Sequence, residues 1–177
     1  MSRNYSVVNY DKLTYAGSLA NLDSVADDPH CTFIKGDICD AAAVEDAMAG
    51  CQAAVRFVAE SHVDRSIYDP APMIETNFTG TFALLQIARK LKIEKFVHVS
   101  TDEVYGDMAP GTFADENSPL QLSSPYSASK ASSDLIVRSY ARTFGFPAVI
   151  TRASNNYGSF SISGEISSSH DHQRARR

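Results

Sequence analysis

Two short motifs contain most of the residues that could carry out chemistry in this chain. The first is Thr101-Asp102-Glu103, which places two carboxyl groups beside a hydroxyl, and the second is Tyr126 followed four residues later by Lys130. A phenol, an amine and a pair of carboxyl groups are suited to acid–base catalysis. Together they predict a reaction in which redox chemistry is coupled to loss of water.

The spacing of Tyr126 and Lys130 places both residues on one face of a helix. Ser124 and Pro125 predict the start of that helix, because proline is favoured at the first helical position. A lysine ammonium beside a phenol lowers the pKa of the phenol, so Tyr126 could accept a hydroxyl proton as hydride leaves the substrate. The alternative is an amphipathic surface helix on which Tyr126 and Lys130 have no joint role.

The carboxyl pair follows residues 95–100, which predict a short buried strand. Ligands of open parallel sheets bind at the carboxyl ends of the strands. In a partly dry cleft the environment can separate the pKa values of two carboxyls, leaving Asp102 as an acid and Glu103 as a base. The alternative is that Thr101 and Asp102 only cap the loop after the strand while Glu103 is solvated.

Composition excludes several classes of function. The chain has 177 residues, 44% of them hydrophobic and 21% charged, as expected of one globular domain, and its formal charge of -5 gives no general attraction for nucleic acid or an anionic membrane. Cys31, Cys39 and Cys51 lack C-x-x-C spacing, which predicts reduced thiols and no metal site. With neither a secretory signal nor a membrane span in the sequence, we expect a cytoplasmic protein.

Apolar patterning predicts a parallel α/β fold. Short apolar runs alternate with helical or loop segments and lie near residues 6–10, 31–34, 53–58, 95–100 and 148–151. Apolar residues recur at helical spacing between Pro72 and Lys92, and a second long helix is predicted from Pro125 to about Phe144. Gly145 is well placed to end that second helix.

With both motifs in hand, the chain resembles the dTDP-glucose 4,6-dehydratases, which are extended short-chain dehydrogenases/reductases. The resemblance runs from about residue 7 to residue 158, and one matching run, from Phe57 to Ser66, differs from the family signature in having Val58 in place of alanine. The other matching segments are Asp11-Lys12-Leu13-Thr14-Tyr15-Ala16-Gly17, Asp37-Ile38, Thr76 and Asn155-Asn156-Tyr157-Gly158.

The resemblance implies roles for individual residues. It implies NAD as the cofactor, contacted by Asp11, Lys12, Leu13, Thr14, Asp37, Ile38, Phe57, Ala59, Thr76, Tyr126, Lys130 and Asn156. It implies that Ser61, Thr101 and Asn155 contact a nucleotide-sugar substrate, dTDP-glucose. The catalytic residues would be Thr101, Asp102, Glu103, Tyr126 and Lys130.

The implied reaction has three steps. Tyr126, assisted by Lys130 and Thr101, would deprotonate the 4-hydroxyl of the sugar as hydride passes from C4 to NAD. Glu103 would then remove the C5 proton while Asp102 protonates the departing C6 hydroxyl, and hydride would return to C6. The product would be dTDP-4-keto-6-deoxyglucose, so the implied enzyme is a hydro-lyase of deoxysugar biosynthesis.

A dinucleotide-binding fold normally begins with a strand and a glycine-rich turn that binds the pyrophosphate. Neither is expected here, because the sequence starts just before the segment that resembles the second strand of the family. In the strand order 3-2-1-4-5-6 the first strand is central, so we expect unpaired edges on both sides of a gap. The predicted fold is a Rossmann-like doubly wound parallel sheet without its first strand.

The sequence also departs from the family after Gly158. Residues 159–177 are rich in Ser, His and Arg, a composition typical of disorder. We expect a partial NAD-binding domain over residues 1–158, a divergent tail over residues 159–177 and no more than a remnant of a substrate domain. A shifted reading frame or a truncated gene record is the hypothesis for the tail.

Two alternatives to a dTDP-glucose 4,6-dehydratase fragment remain open, a UDP-glucose 4,6-dehydratase and a non-catalytic remnant. Tyr-x-x-x-Lys alone marks a superfamily that also includes epimerases and reductases, and a UDP-glucose 4,6-dehydratase is compatible with the same motifs. The chain could also be a non-catalytic remnant that pairs with full-length subunits through its two long helices, which in the family form a homodimer interface. We expect the isolated chain to bind NAD weakly and to turn over little sugar nucleotide.

Overall fold

The structure is a computed structural model that describes residues 5–15, 17–60 and 67–154. Its strands are β1 (Val7–Asp11), β2 (Cys31–Lys35), β3 (Ala53–Arg56), β4 (Lys95–Thr101) and β5 (Ala148–Ala153). Its main helices are α1 (Ala41–Met48), α2 (Gly80–Lys90) and α3 (Pro125–Phe144), with short 3-10 helices at Leu19–Val25 and Asp102–Tyr105. The five predicted strands are therefore confirmed, although β3 ends at Arg56 and not at Val58.

The strands form two parallel sheets. One contains β1 and β2, and the other has the order β3-β4-β5. Between them lies a cavity of about 140 Å³, lined on one side by Val8 and Tyr10 and on the other by Ala53, Val55 and Arg56. The gap falls where the doubly wound order places a central strand, so the predicted interrupted Rossmann-like sheet is confirmed.

Helix α3 has the ends that the sequence predicts. The Ser124 hydroxyl accepts a hydrogen bond from the Ser127 N–H at 3.0 Å, and the Ser127 hydroxyl accepts one from the Ser124 N–H at 3.0 Å. Pro125 follows as the first helical residue, where its missing N–H costs no intrahelical bond. Gly145 ends the helix in the left-handed conformation, with φ of 60°. These local signals fix where the helix carrying Tyr126 and Lys130 begins and ends.

The other predicted long helix is interrupted by a π-helical stretch. Helical structure begins at Ala71–Met73, continues as a π-helix over Ile74–Thr79 and becomes α-helical in α2. The Asn77 carbonyl accepts hydrogen bonds from the Thr81 and Ser133 hydroxyls and, at 3.3 Å, from the Arg56 guanidinium. Stretches of π-helix are frequently found at functional sites, and this one directs a backbone carbonyl toward β3 and α3.

The hydrophobic core lies between the three-stranded sheet and the helices that cover it. Its fully buried members include Leu85 and Ala88 of α2 and Phe96 of β4, and Val137 of α3 is 1% exposed. A smaller cluster joins Val104 and Tyr105 to Ala131, the residue after Lys130. Within the described residues, no helix has the length and apolar character needed to cross a membrane.

Candidate active site

The carboxyl pair lies at the carboxyl end of β4, as predicted. Thr101 is the last residue of the strand, and its hydroxyl accepts a hydrogen bond from the Glu103 N–H at 3.2 Å, which caps the short helix Asp102–Tyr105. Asp102 and Glu103 are exposed, whereas Val104 and Tyr105 behind them are buried. The cap that the sequence offered as an alternative role for Thr101 is therefore present, and it presents both carboxyl groups to solvent.

Tyr126 and Lys130 lie on the buried face of α3, with 8% and 3% of their surface exposed. The Lys130 ammonium donates a hydrogen bond of 2.8 Å to the carbonyl of Val99, two residues before Thr101. Helix α3 also packs against β4 and against the turn formed by residues 102–105. The structure thus brings the amine of the second motif to the strand end that carries the first motif.

Burial changes the protonation of Lys130. Loss of water around the amine, and then the positive charge of Arg56, lower the pKa of Lys130 to about 7, although the carboxylate of Asp134 opposes them. Lys130 is therefore only partly protonated near neutral pH. Such a group can supply or receive a proton there.

A second group of predicted residues lies at the carboxyl ends of β1 and β2. Asp11 ends β1, and its carboxylate accepts a hydrogen bond from the Leu13 N–H at 2.6 Å. Lys12 forms an ion pair of 2.6 Å with Asp37, which lies just after β2. Burial raises the pKa of Asp37. The hydrogen bond from Lys12, the one from the Cys39 N–H and the positive charge of Lys12 together lower it by more, so this pKa lies below its ordinary value. These contacts join Asp11, Lys12, Leu13 and Asp37 into one cluster.

The remaining predicted cofactor residues have varied surroundings. Thr14 is exposed and its carbonyl accepts a hydrogen bond from Gly17, whereas Ile38 is buried in the hydrophobic core. The Thr76 carbonyl accepts a hydrogen bond of 3.3 Å from Arg56. Phe57 and Ala59 follow β3, and the side chain of Phe57 is 73% exposed.

Several predicted features lie outside the described residues. They are Ser61, Asn155 and Asn156, together with the boundary at residue 158 and the tail over residues 159–177. Their predicted roles stay predictions.

Asn77, which is fully buried, is not among the site residues predicted from the sequence. Its amide oxygen accepts a hydrogen bond from the Glu60 N–H at 3.1 Å, and its amide nitrogen donates to the Glu60 carbonyl at 3.3 Å and to the Ser129 hydroxyl at 2.9 Å. The Ser129 hydroxyl in turn donates to the Tyr126 carbonyl at 2.8 Å. Asn77 therefore connects the segment after β3 to the helix that carries Tyr126.

A buried ion cluster next to α3 is likewise not predicted from the sequence. Asp134 is fully buried and accepts a hydrogen bond of 2.9 Å from Arg152 of β5. His98 Nε2 lies 3.3 Å from an Asp134 oxygen without the angle of a good hydrogen bond. Burial would raise the pKa of Asp134, but the interactions with His98, Ser100 and Arg152 lower it by more. Continuing the four-residue spacing of Tyr126 and Lys130 by one step would have found Asp134.

Comparisons with known proteins are consistent with this architecture. The family model described as GDP-mannose 4,6 dehydratase matches residues 1–165. The chain is 54% identical over 148 residues to a dTDP-glucose 4,6-dehydratase of Streptomyces antibioticus, covering 84% of this chain and 43% of that protein. It is 49% identical over 175 residues to a dTDP-glucose 4,6-dehydratase of Shigella flexneri, covering 88% of this chain and 48% of that protein.

A solved structure gives the same result at the level of the fold. DesIV, a dTDP-glucose 4,6-dehydratase of Streptomyces venezuelae crystallised with NAD bound, aligns with a TM-score of 0.88 and 46% identity over 97% of this chain and 53% of that chain. The chain thus spans about half the length of the curated relatives it matches.

Fold and site together define a parallel α/β protein of the Rossmann type, with candidate site residues at the carboxyl ends of its strands and on the helix that packs against β4. The chain belongs to the GDP-mannose 4,6 dehydratase family. Within that family, the resemblance to dTDP-glucose 4,6-dehydratases is confirmed by identities of about one half across most of the chain.

Proposed function

We propose that this chain carries the catalytic part of an NAD-dependent dTDP-glucose 4,6-dehydratase. The observation that carries the proposal is the hydrogen bond of 2.8 Å from Lys130 to the Val99 carbonyl. This bond supports a shared site, because the Val99 carbonyl lies in β4 two residues before Thr101, which leads directly into Asp102 and Glu103. The two motifs, separate in the sequence, then serve one site.

The described residues fit the two ends of a dinucleotide. Asp11 lies at the end of β1 and has the carboxylate that Rossmann folds use at such a position to bind the adenosine ribose. Lys12, the next residue, forms an ion pair with Asp37. Tyr126 and Lys130 lie at the carboxyl end of the other sheet, where the nicotinamide end would bind. When bound, NAD supplies the acceptor and later the donor of a hydride.

Each catalytic residue has a step that suits its environment. Tyr126 takes the proton of the 4-hydroxyl, and Lys130, with a pKa of about 7, relays or stabilises that proton change. Glu103 removes the proton at C5, which the neighbouring ketone makes acidic, and returns a proton to C5 when hydride goes back to C6. Asp102 donates a proton to the departing C6 hydroxyl, so that water leaves. Thr101 holds the turn through its cap and lies where it can bind the 4-hydroxyl.

Pairing of two subunits through the long helices is part of the proposal. Ile74 and Phe78 of the π-helical stretch and Phe82 of α2 follow each other at four-residue intervals and are 54%, 38% and 40% exposed. Leu135 of α3 is 55% exposed. An apolar stripe of this kind is typical of an interface between helices. The three unpaired cysteines support a reducing, cytoplasmic location.

A product assay tests the proposal. The chain is incubated with NAD and, separately, with dTDP-glucose, UDP-glucose and GDP-mannose, and loss of one water from the sugar is followed by mass spectrometry. We expect slow turnover or none for the isolated chain, and any product to come from dTDP-glucose. Preferential turnover of UDP-glucose would establish the alternative substrate, and preferential turnover of GDP-mannose would contradict the proposal.

The residue roles are tested in a complete relative that has activity. Substituting the residue that matches Tyr126 by Phe should abolish hydride transfer, measured as NADH formation in a single turnover, because the base is removed. Substituting the residue that matches Asp102 by Asn should impair water loss more than oxidation. Equal, negligible effects would contradict both roles. Native mass spectrometry can detect heterodimers between this chain and the complete relative. Such heterodimers, found while the chain itself shows no turnover, would favour the non-catalytic remnant.

A further inference from the structure

The catalytic face of α3 continues beyond Lys130 to a third polar residue. Tyr126, Lys130 and Asp134 are separated by four residues each and therefore lie along one side of the helix. All three are buried, and Asp134 is fully buried. No step of the proposed reaction uses Asp134.

Asp134 is linked to the carboxyl-bearing turn through Arg152. The Arg152 Nε donates a hydrogen bond of 2.9 Å to Asp134 Oδ2, and its Nη1 donates one of 2.8 Å to the hydroxyl of Tyr105. The guanidinium carbon of Arg152 also lies 5.1 Å from the centre of the Tyr105 ring. Tyr105 is the last residue of the short helix that begins with Asp102. A continuous chain of contacts therefore runs from α3 through β5 to the turn.

Apolar packing and a backbone hydrogen bond also attach the turn to its surroundings. Val104 and Tyr105 pack against Ala131, and the Val104 carbonyl accepts a hydrogen bond from the Gln121 N–H at 3.0 Å. Apolar packing of this kind resists separation but tolerates sliding, whereas a guanidinium held by a carboxylate and a phenol has a fixed orientation. The polar link is therefore the better device for setting the orientation of the turn.

Stability alone does not account for the buried charges. A buried ion pair is commonly no more stabilising than apolar residues of similar volume, because both charges lose their water. Asp134 is the one carboxylate among the buried side chains that the structure describes, and it lies among Lys130, Arg56, His98 and Arg152. The buried charges of Asp134 and Arg152 lose their water and connect the two parts of the site. Their presence is best explained by the geometry that their contacts impose.

We propose that Asp134 and Arg152 are positioning residues that hold the Asp102/Glu103 turn in a fixed orientation relative to Tyr126 and Lys130. Arg152 acts through the Tyr105 hydroxyl, and Asp134 acts by orienting Arg152. The inference rests on the proposed function for its catalytic meaning, but its structural content can be tested without any turnover.

The first test is amide hydrogen exchange in this chain, measured by NMR. Arg152→Met removes the middle of the link and Tyr105→Phe removes its end at the turn, and we expect exchange at Glu103 and Gly106 to accelerate about tenfold or more through local opening. Exchange in β1 and β2 should stay unchanged. Arg152→Lys should restore part of the protection, and Arg138→Met, which removes an exposed arginine of α3, should leave the turn as it is.

Two results would overturn the proposal. One is unchanged exchange in the turn for Tyr105→Phe, a variant that removes a single hydroxyl and is expected to fold. The other is an equal acceleration throughout β3, β4 and β5 for Arg152→Met, which would assign Arg152 a purely structural role.

The second test is kinetic and uses any preparation that turns over dTDP-glucose. Misplacing a carboxyl pair should lower kcat by about tenfold to a hundredfold while leaving KM nearly unchanged, because substrate contacts remain. A raised KM with an unchanged kcat for Tyr105→Phe would contradict a positioning role. If turnover prefers GDP-mannose, the proposed function fails while the exchange result still decides the inference.

Discussion

The two sheets of the molecule differ sharply in how well they are packed. Among the described residues before Ile38, none is buried, and the β1 side chains Val7 and Val8 are 52% and 39% exposed. In the region from Ile38 to Ala153, by contrast, Leu85 and Phe96 are fully buried. The region with the candidate cofactor cluster is thus open, and the region with the candidate acid–base groups is densely packed.

The two sheets differ because their strands are covered and paired to different extents. Parallel strands are normally covered on both faces and paired on both edges, but β1 and β3 face each other across a cavity of about 140 Å³. The acid–base groups instead depend on contacts among α2, α3, β4 and β5, all of which the described residues contain. The elements around the candidate acid–base groups are therefore closely packed, whereas the sheet that carries the candidate cofactor cluster borders the cavity.

The largest expected contrast comes from one substitution made in both regions. Leu85→Ala removes a fully buried side chain and should lower the free energy of unfolding by about 2–5 kcal/mol. Leu19→Ala removes a side chain that is 51% exposed and should change it by no more than about 0.5 kcal/mol. Urea unfolding followed by circular dichroism measures both. Similar losses for the two variants would show that the β1–β2 region is packed in solution.

A second pair of variants compares two glycines with positive φ within the packed region. Gly106 has φ of 70°, and a Cβ there would collide with the Gln121 carbonyl, so Gly106→Ala should cost about 3 kcal/mol. Gly111 has φ of 80° but open space around it, so Gly111→Ala should cost only about 1 kcal/mol. Thermal unfolding of the two variants measures the difference. Equal losses of stability in the two variants would mean that the Gln121 carbonyl does not lie against Gly106.

The pH dependence of stability gives a gradual effect, smaller per pH unit than either of the contrasts above. The pKa of Lys130 is lowered from 10.5 to about 7, so between these pH values the unfolded state binds more protons than the folded state. The free energy of unfolding should therefore rise with pH in this window, by at most about 1.4 kcal/mol per pH unit from this group.

Lys130→Met should remove that rise, whereas Lys90→Met, at an exposed lysine paired with Glu45, should preserve it. Urea unfolding at closely spaced pH values measures the slope. A flat profile for the unmodified chain would contradict the burial of Lys130.

Much of the fold and part of the site follow from local sequence signals. Ser124 and Gly145 predicted the ends of α3 because capping depends on residues within one turn of the helix. The apolar runs predicted all five strands, and the Tyr126/Lys130 spacing predicted a shared helix face. The π-helical stretch around Asn77 was not predicted, because it depends on hydrogen bonds from Arg56 and Ser133, which are distant in the sequence.

The sequence by itself determined which chemical groups are present, which helix or strand carries each of them, and that the pattern resembles a nucleotide-sugar dehydratase. The tertiary structure decided which groups meet: Lys130 with the Val99 carbonyl, and Asp134 with Arg152 and Tyr105. It also decided the lowered pKa of Lys130. Periodicity reports only on neighbours along the chain, whereas burial and long-range contacts arise when separate elements pack together.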